Sequence, residues 1–216
     1  MLICGIDEAG RGPVIGPLVI CGVVIEDKKL KHLEAIGVKD SKELTPSARQ
    51  KLFYKIKKLV KNYKVVIVEP HEIDESVNSE KTNINWLEAK KSALIINNLK
   101  PDKVIIDCPS NNVDMYREMI IGYLEDKSTA VILEHKADTK YPIVGAASII
   151  AKVTRDFEIE KIKKNYNVEF GSGYPSDELT QKFLKENFNR YSFFRKSWAS
   201  YKEASKKGSQ SKLTDF

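Results

Sequence analysis

Leu2-Ile3-Cys4-Gly5-Ile6-Asp7-Glu8-Ala9-Gly10-Arg11-Gly12-Pro13 is an apolar run that ends in two adjacent acids and passes straight into glycine and proline. Residues 2–7 read as a strand, and the way that strand ends is chemically expensive. A buried carboxylate is unfavourable unless something positive offsets it, so two in a row point to a bound cation or to function. Gly10 and Gly12 let the backbone approach a ligand closely, and Arg11 between them carries the planar fork that suits phosphate. The stretch therefore predicts a metal beside a phosphate.

The same arrangement recurs downstream. Val104-Ile105-Ile106-Asp107 is a second apolar strand that ends in an acid, and two neighbouring strands ending at one edge bring Asp7 and Asp107 together. Strand signals also cover residues 18–26, which pair with the first strand, and 65–68, 103–107 and 130–134. Thr45 followed by Pro46 starts a helix, with Leu52, Ile56, Leu59 and Val60 as its apolar stripe. Residues 84–99 form a helix with Leu87, Leu94 and Ile95 inward, and 116–124 form another. A long helix over 143–166 carries Ala146, Ile149, Ile150, Val153 and Phe157 on one face, and 176 to about 204 is helical and basic. The alternation predicts one α/β domain over residues 1–205, with a helical C-terminal portion and a flexible tail over 206–216.

Asp138 follows the 130–134 strand by a short loop and reaches the same edge. Asp7, Glu8, Asp107 and Asp138 are then four oxygen donors of the kind hard divalent cations take, with room left for water and substrate phosphate. Two such ions about 4 Å apart can clamp both the attacking and the leaving oxygen of a phosphodiester displacement. Taken singly, each strand-end acid reads equally as a cap or a surface charge; four at one edge point to metal.

With 42% hydrophobic and 31% charged residues the composition is that of a globular chain. No apolar run approaches the ~20 residues of a membrane span, and residues 1–25 lack a basic region followed by a leader-like stretch, so no membrane partner and a cytoplasmic location are expected. Cys4, Cys21 and Cys108 are odd in number and far apart, which predicts reduced core thiols and no redox or zinc chemistry. The net charge of +6 is nearly balanced over residues 1–150 and concentrated in 151–216. That distribution suits a polyanion partner and equally a solvated helical surface.

Five ordered blocks carry a resemblance: residues 7–13, Asp40-Ser41-Lys42-Glu43-Leu44, Asp107-Cys108-Pro109, Ala137-Asp138-Thr139-Lys140-Tyr141-Pro142 with 146–152 after it, and Gly171-Ser172-Gly173-Tyr174-Pro175-Ser176-Asp177. Over residues 1 to about 195 the chain resembles ribonuclease HII, the type 2 ribonuclease H, in its archaeal form. The resemblance implies a ribonuclease H-like mixed sheet flanked by helices. It also implies a metal-dependent endonuclease that hydrolyses the RNA strand of RNA/DNA hybrids and cuts 5′ of ribonucleotides embedded in duplex DNA, leaving 3′-hydroxyl and 5′-phosphate ends. Mg²⁺ or Mn²⁺ is the implied cofactor, two ions with substrate bound, and a role in DNA replication and repair follows.

Residue by residue, the resemblance places Asp7, Glu8, Asp107 and Asp138 in the acidic quartet, with Asp7 the bridge between two ions. Gly10, Arg11 and Gly12 match a loop that reads the 2′-hydroxyl through main-chain groups, the feature that distinguishes RNA from DNA. Tyr174 matches a tyrosine that packs on the following nucleotide; without the resemblance it is equally a turn aromatic. Ser41 and Lys42 are implied phosphate contacts or an ordinary solvated loop. Lys140, Ser148 and Lys152 resemble positions near the substrate, Ser148 being equally a hydroxyl bonded to its own helix. His135 is not expected as a general base, because a metal site of this type already activates water.

Gln210-Ser211-Lys212-Leu213-Thr214-Asp215-Phe216 resembles a sliding-clamp interaction motif, with Gln210, Leu213 and Phe216 as anchors, on a tail that would order only on its partner. The protein itself is expected to be a monomer. Competing readings are a junction resolvase of the same fold, a type 3 ribonuclease H, which would carry an extra N-terminal domain, and a noncatalytic hybrid-binding module. A phosphate loop over 10–16 lacks the Lys-Ser/Thr ending that such loops use.

Overall fold

The computed structural model describes residues 1–38 and 44–211, the last four for their backbone only. Its sheet has five strands, β1 Leu2–Ala9, β2 Leu18–Glu26, β3 Asn62–Val68, β4 Lys103–Asp107 and β5 Ala130–Glu134, in the order β3-β2-β1-β4-β5. β2 runs antiparallel to β1, with Asp7 opposite Cys21. β4 runs parallel to β1 and β5 parallel to β4. The sheet is therefore mixed, as the resemblance implies. Parallel pairing sets Ile6 opposite Ile106, so the acid that follows each of them, Asp7 within β1 and Asp107 at the end of β4, falls beside the other.

The helices are α1 Leu30–Ala35, α2 Pro46–Leu59, α3 Pro70–Asn78, α4 Ile84–Leu99, α5 Val113–Tyr123, α6 Ala137–Lys140, α7 Pro142–Tyr166, α8 Glu178–Asn187 and α9 Ala199–Ser211. Thr45 caps α2 as its sequence predicts, its hydroxyl oxygen accepting from the Ala48 amide at 3.3 Å. Asn112 does the same for α5 through the Met115 amide at 3.0 Å, which starts that helix three residues before the expected Tyr116.

The chain divides into two compact units. The first comprises Met1–Ala9, Val19–Ile67 and Ile84–Thr154, and the second Gly10–Leu18, Val68–Asn83 and Arg155–Phe216. The first unit's core joins the sheet residues Val19, Cys21, Val23 and Ile105 to Ala146, Ile149, Ile150 and Val153 of α7. Strand and helix approach closely at Gly5: a Cβ there would lie 2.4 Å from the Ile143 carbonyl carbon. The second unit has its own core, in which Val14 and Ile15 pack with Phe170, Phe183, Phe193 and Phe194. Its rings contact one another repeatedly, with Tyr191 and Phe193 stacked at 4.8 Å.

Three expectations need correction. Leu94 is 51% exposed, because the buried side of α4 consists of Glu88, Ala89, Ser92, Ala93, Ile95, Ile96 and Leu99; small and polar residues hid that face from hydrophobic periodicity. Phe157 is 47% exposed and does not continue the buried stripe of α7. The span 176–204 is two helices, interrupted where Phe193 and Phe194 join the aromatic core and Ile15 bridges Phe194. The α9 backbone is helical to Ser211. Among the described residues, no helix is long and apolar enough to cross a membrane.

Candidate active site

At the C-terminal edge of β1 and β4, Asp7, Asp107 and Asp138 each offer a carboxylate oxygen, and the three lie within 4.8 Å of one another. Asp7 and Asp138 are buried and Asp107 is half-buried. Asp138 arrives on α6, whose entry residue Lys136 adopts a left-handed φ of 58°. One Asp107 oxygen accepts from the Ala137 amide at 3.0 Å, tying that helix start to the end of β4.

Burial drives the Asp7 carboxyl up to about 7, and the charges of Asp107 and Asp138 push the same way. Hydrogen bonds from Ser148 and the Glu8 backbone oppose the rise. Three carboxylates this close, one of them held far above its ordinary range by desolvation, form an oxygen set that a hard divalent cation would neutralise. Ser148 is fully buried on α7. Its hydroxyl donates to Asp7 and accepts from Lys152 Nζ at 2.8 Å: it bonds within its helix, as one of its two readings has it, and it also orients the central acid.

The acids whose oxygens come within 4.8 Å of one another are Asp7, Asp107 and Asp138; Glu8, the next residue of β1, adds its charge around Tyr116 and Cys108. Tyr116 is buried there with Glu88, whose charge raises its hydroxyl further. Lys140 forms an ion pair with Glu134 on the surface. His135 Nδ1 lies 3.0 Å from the Cys108 carbonyl oxygen, a structural partner for its ring. The three cysteines are buried and unlinked, with Cys4 pushed up to about 12 by burial.

Within the second unit, the Gly10-Arg11-Gly12 loop and Tyr174 stand together. A Cβ on Gly12 would lie 3.6 Å from the Tyr174 ring, and Tyr174 remains 40% exposed. Gly10 has φ +85° and a Cβ there would come within 2.4 Å of Arg155, so only glycine fits. Asp177 fixes the Tyr174 turn: it caps α8 through the Leu179 amide at 2.9 Å and accepts from the Ser172 amide and hydroxyl, both at 2.7 Å. These bonds hold its carboxyl down at about 2.

Arg155, which the sequence did not single out, lies buried under this loop. Its guanidinium faces the Tyr174 ring at 5.4 Å and donates to the Ser172 carbonyl at 3.4 Å. Nothing in the local pattern of α7 marks it, because its partners are glycines and a tyrosine distant in the chain. Ser41 and Lys42 lie outside the described residues, as do Leu213 and Phe216; of Gln210 only the helical backbone is described.

Comparison with known proteins fits this geometry. The family model of ribonuclease HII matches residues 4–201. A ribonuclease HII of Pyrococcus horikoshii is 47% identical over 220 residues, covering 99% of this chain and 97% of that protein. The crystal structure of ribonuclease H2 from Pyrococcus horikoshii OT3 superposes with a TM-score of 0.89 at 45% identity, over 97% of this chain and all of that one. The PCNA:RNase HII complex from Archaeoglobus fulgidus is similar with a TM-score of 0.77 at 42% identity, over 85% of each chain.

Proposed function

The chain belongs to the ribonuclease HII family, whose members are metal-dependent ribonucleases, and we propose that it hydrolyses the RNA strand of RNA/DNA hybrids and cuts 5′ of single ribonucleotides in duplex DNA, leaving 3′-hydroxyl and 5′-phosphate ends. The carrying observation is the trio Asp7, Asp107 and Asp138, whose carboxylate oxygens lie within 4.8 Å of one another at one sheet edge. Two bound Mg²⁺ or Mn²⁺ ions would neutralise the scissile phosphate and activate the attacking water. Asp7 is the shared ligand in this reading, steadied by Ser148, and Glu8 completes the quartet. The Gly10-Arg11-Gly12 main chain reads the 2′-hydroxyl, and Ser41, Lys42, Lys140 and Lys152 contact the substrate backbone. Residues 1–205 act as one monomeric catalytic domain in the cytoplasm, in DNA replication and repair. The test is an RNA/DNA hybrid beside a DNA duplex of the same sequence: the RNA strand alone should be cut, with Mg²⁺ or Mn²⁺ and not with EDTA. Equal cutting of both duplexes would return the site to a general nuclease.

Tyr174 is the stacking residue of this reading, and its exposure predicts a split between activity and stability. Stacking on an aromatic is worth roughly 1–3 kcal/mol per base in single-strand binders. Tyr174→Ala should therefore lower cleavage at an isolated ribonucleotide by about tenfold or more, while the melting temperature moves little. Parallel losses of both would make the ring a packing residue.

The neighbour from Archaeoglobus fulgidus was solved with PCNA, which supports a sliding clamp as the partner of Gln210, Leu213 and Phe216. Removing residues 212–216 should leave cleavage of a short duplex unchanged and abolish clamp binding in titration calorimetry. Phe216→Ala alone should cause most of the loss, since one buried aromatic commonly dominates such an interface. Equal clamp affinity with and without the tail would dismiss the motif.

A further inference from the structure

Arg195 is fully buried, and its guanidinium reaches the loop that begins at Gly10. Nη2 donates to the Gly10 carbonyl at 2.6 Å, Nη1 to the Arg11 carbonyl at 2.9 Å, and Nε to the Gly16 carbonyl at 2.9 Å. Trp198 stacks on that guanidinium at 5.0 Å, and its indole Nε1 donates to the Gly12 carbonyl at 3.0 Å. Three consecutive carbonyls are thus held by two side chains of one short segment. A buried guanidinium is tolerated only when its donors are matched, and main-chain carbonyls accept from three of its nitrogens here.

The segment is itself fastened. Asp74 of α3 accepts from the Lys196 and Ser197 amides, each at 2.8 Å, and from the Ser197 hydroxyl at 2.6 Å. The Arg195 amide donates to the Val14 carbonyl and the Gly16 amide to the Phe193 carbonyl, both at 2.9 Å. Such bracing on both sides is what sets a loop in one conformation.

The consequence is directional. The peptide bonds described are all trans, and in a planar trans peptide the carbonyl of one residue and the N–H of the next point in opposite directions. Holding the Gly10 and Arg11 carbonyls on Arg195 therefore turns the N–H groups of Arg11 and Gly12 the other way. Gly12 is followed by Pro13, so the third peptide brings no N–H. We propose that Arg195 and Trp198 are positioning residues that hold the Gly10-Arg11-Gly12 carbonyls inward, so that the Arg11 and Gly12 amides face outward as a preorganised donor pair for the ribose hydroxyl of the substrate. The proposal rests on the main-chain reading of the 2′-hydroxyl given above and adds what enforces it. Lysine cannot replace the arginine, because a single ammonium lacks the fork that spans two adjacent carbonyls and a third.

The test measures affinity, by fluorescence anisotropy, for two duplexes identical but for one ribonucleotide, with EDTA present so that neither is cut. The unaltered protein should prefer the ribonucleotide duplex; no preference would overturn the parent reading of the loop. Arg195→Lys should reduce the preference by about tenfold, the scale of one charge-assisted hydrogen bond, with affinity for the all-DNA duplex unchanged. Trp198→Phe keeps the stacked ring and loses only the Gly12 bond, so it should fold and reduce the preference several-fold. Should Arg195→Lys fail to fold by circular dichroism, Trp198→Phe decides. A folded variant that binds both duplexes more weakly in proportion, or keeps the full preference, would make the pair a structural staple and overturn the inference.

Discussion

Asp7→Asn is expected to reduce cleavage by several orders of magnitude and, in the metal-free protein, to raise the melting temperature. The loss follows from removing the ligand at the centre of the acidic trio. The gain follows from the direction of the Asp7 shift, which lies at about 7 against an ordinary 3.8. Between those values the folded protein holds a proton that the unfolded chain has released, so stability falls as pH rises through the window and stays low above it. Asparagine carries no such charge. At pH 8 the substitution should stabilise by on the order of 2–4 kcal/mol, and near pH 3 the gap should close because both side chains are neutral. Melting curves at the two pH values in EDTA check the sign. A gap of the same size at both, or near-unaltered cleavage, would take Asp7 out of the site.

Gly5→Ala should be among the most damaging single-methyl changes in the chain. The added Cβ would meet the Ile143 carbonyl carbon at 2.4 Å, its oxygen at 2.5 Å and the Val144 nitrogen at 2.6 Å. These are backbone atoms of α7 and cannot swing aside, so β1 and the helix must separate at a cost of about 3 kcal/mol or more. That separation also carries Asp7, two residues along the same strand, away from Ser148. Cleavage by the surviving folded fraction should fall as well. Gly122→Ala is the control: a Cβ there meets nothing within 4 Å, and in the last turn of α5 alanine should be neutral or stabilising by up to about 1 kcal/mol. Denaturant midpoints that rank the two variants alike would remove the close approach at Gly5 as a determinant of the site.

The acids were legible because they break a pattern. An apolar run followed by a charge stands out whatever surrounds it, and Asp7 and Asp107 follow such runs on strands that prove to be parallel neighbours, although β1 continues past Asp7 to Ala9. Asp138 was placed by the same logic with a loop added. Glu88 and Arg195 were not legible. Glu88 sits on the inner side of α4 beside Ala89, Ser92 and Ala93, where periodicity expects leucine. Arg195 satisfies itself on the Gly10 carbonyl 185 residues away, and no local window contains both ends of that bond. Leu94 and Phe157 show the converse, since exposed apolar side chains are common and the sequence alone does not distinguish them from core.

The proposed activity is tested most directly by how a duplex DNA with one embedded ribonucleotide is cut. Incubated with Mg²⁺ or Mn²⁺ and the products mapped at both ends, it should be broken once, on the 5′ side of the ribonucleotide, leaving a 3′-hydroxyl and a 5′-phosphate, and the same duplex without the ribonucleotide should stay whole. Cleavage at another position, equal cleavage of the all-DNA duplex, or activity that survives EDTA would contradict it.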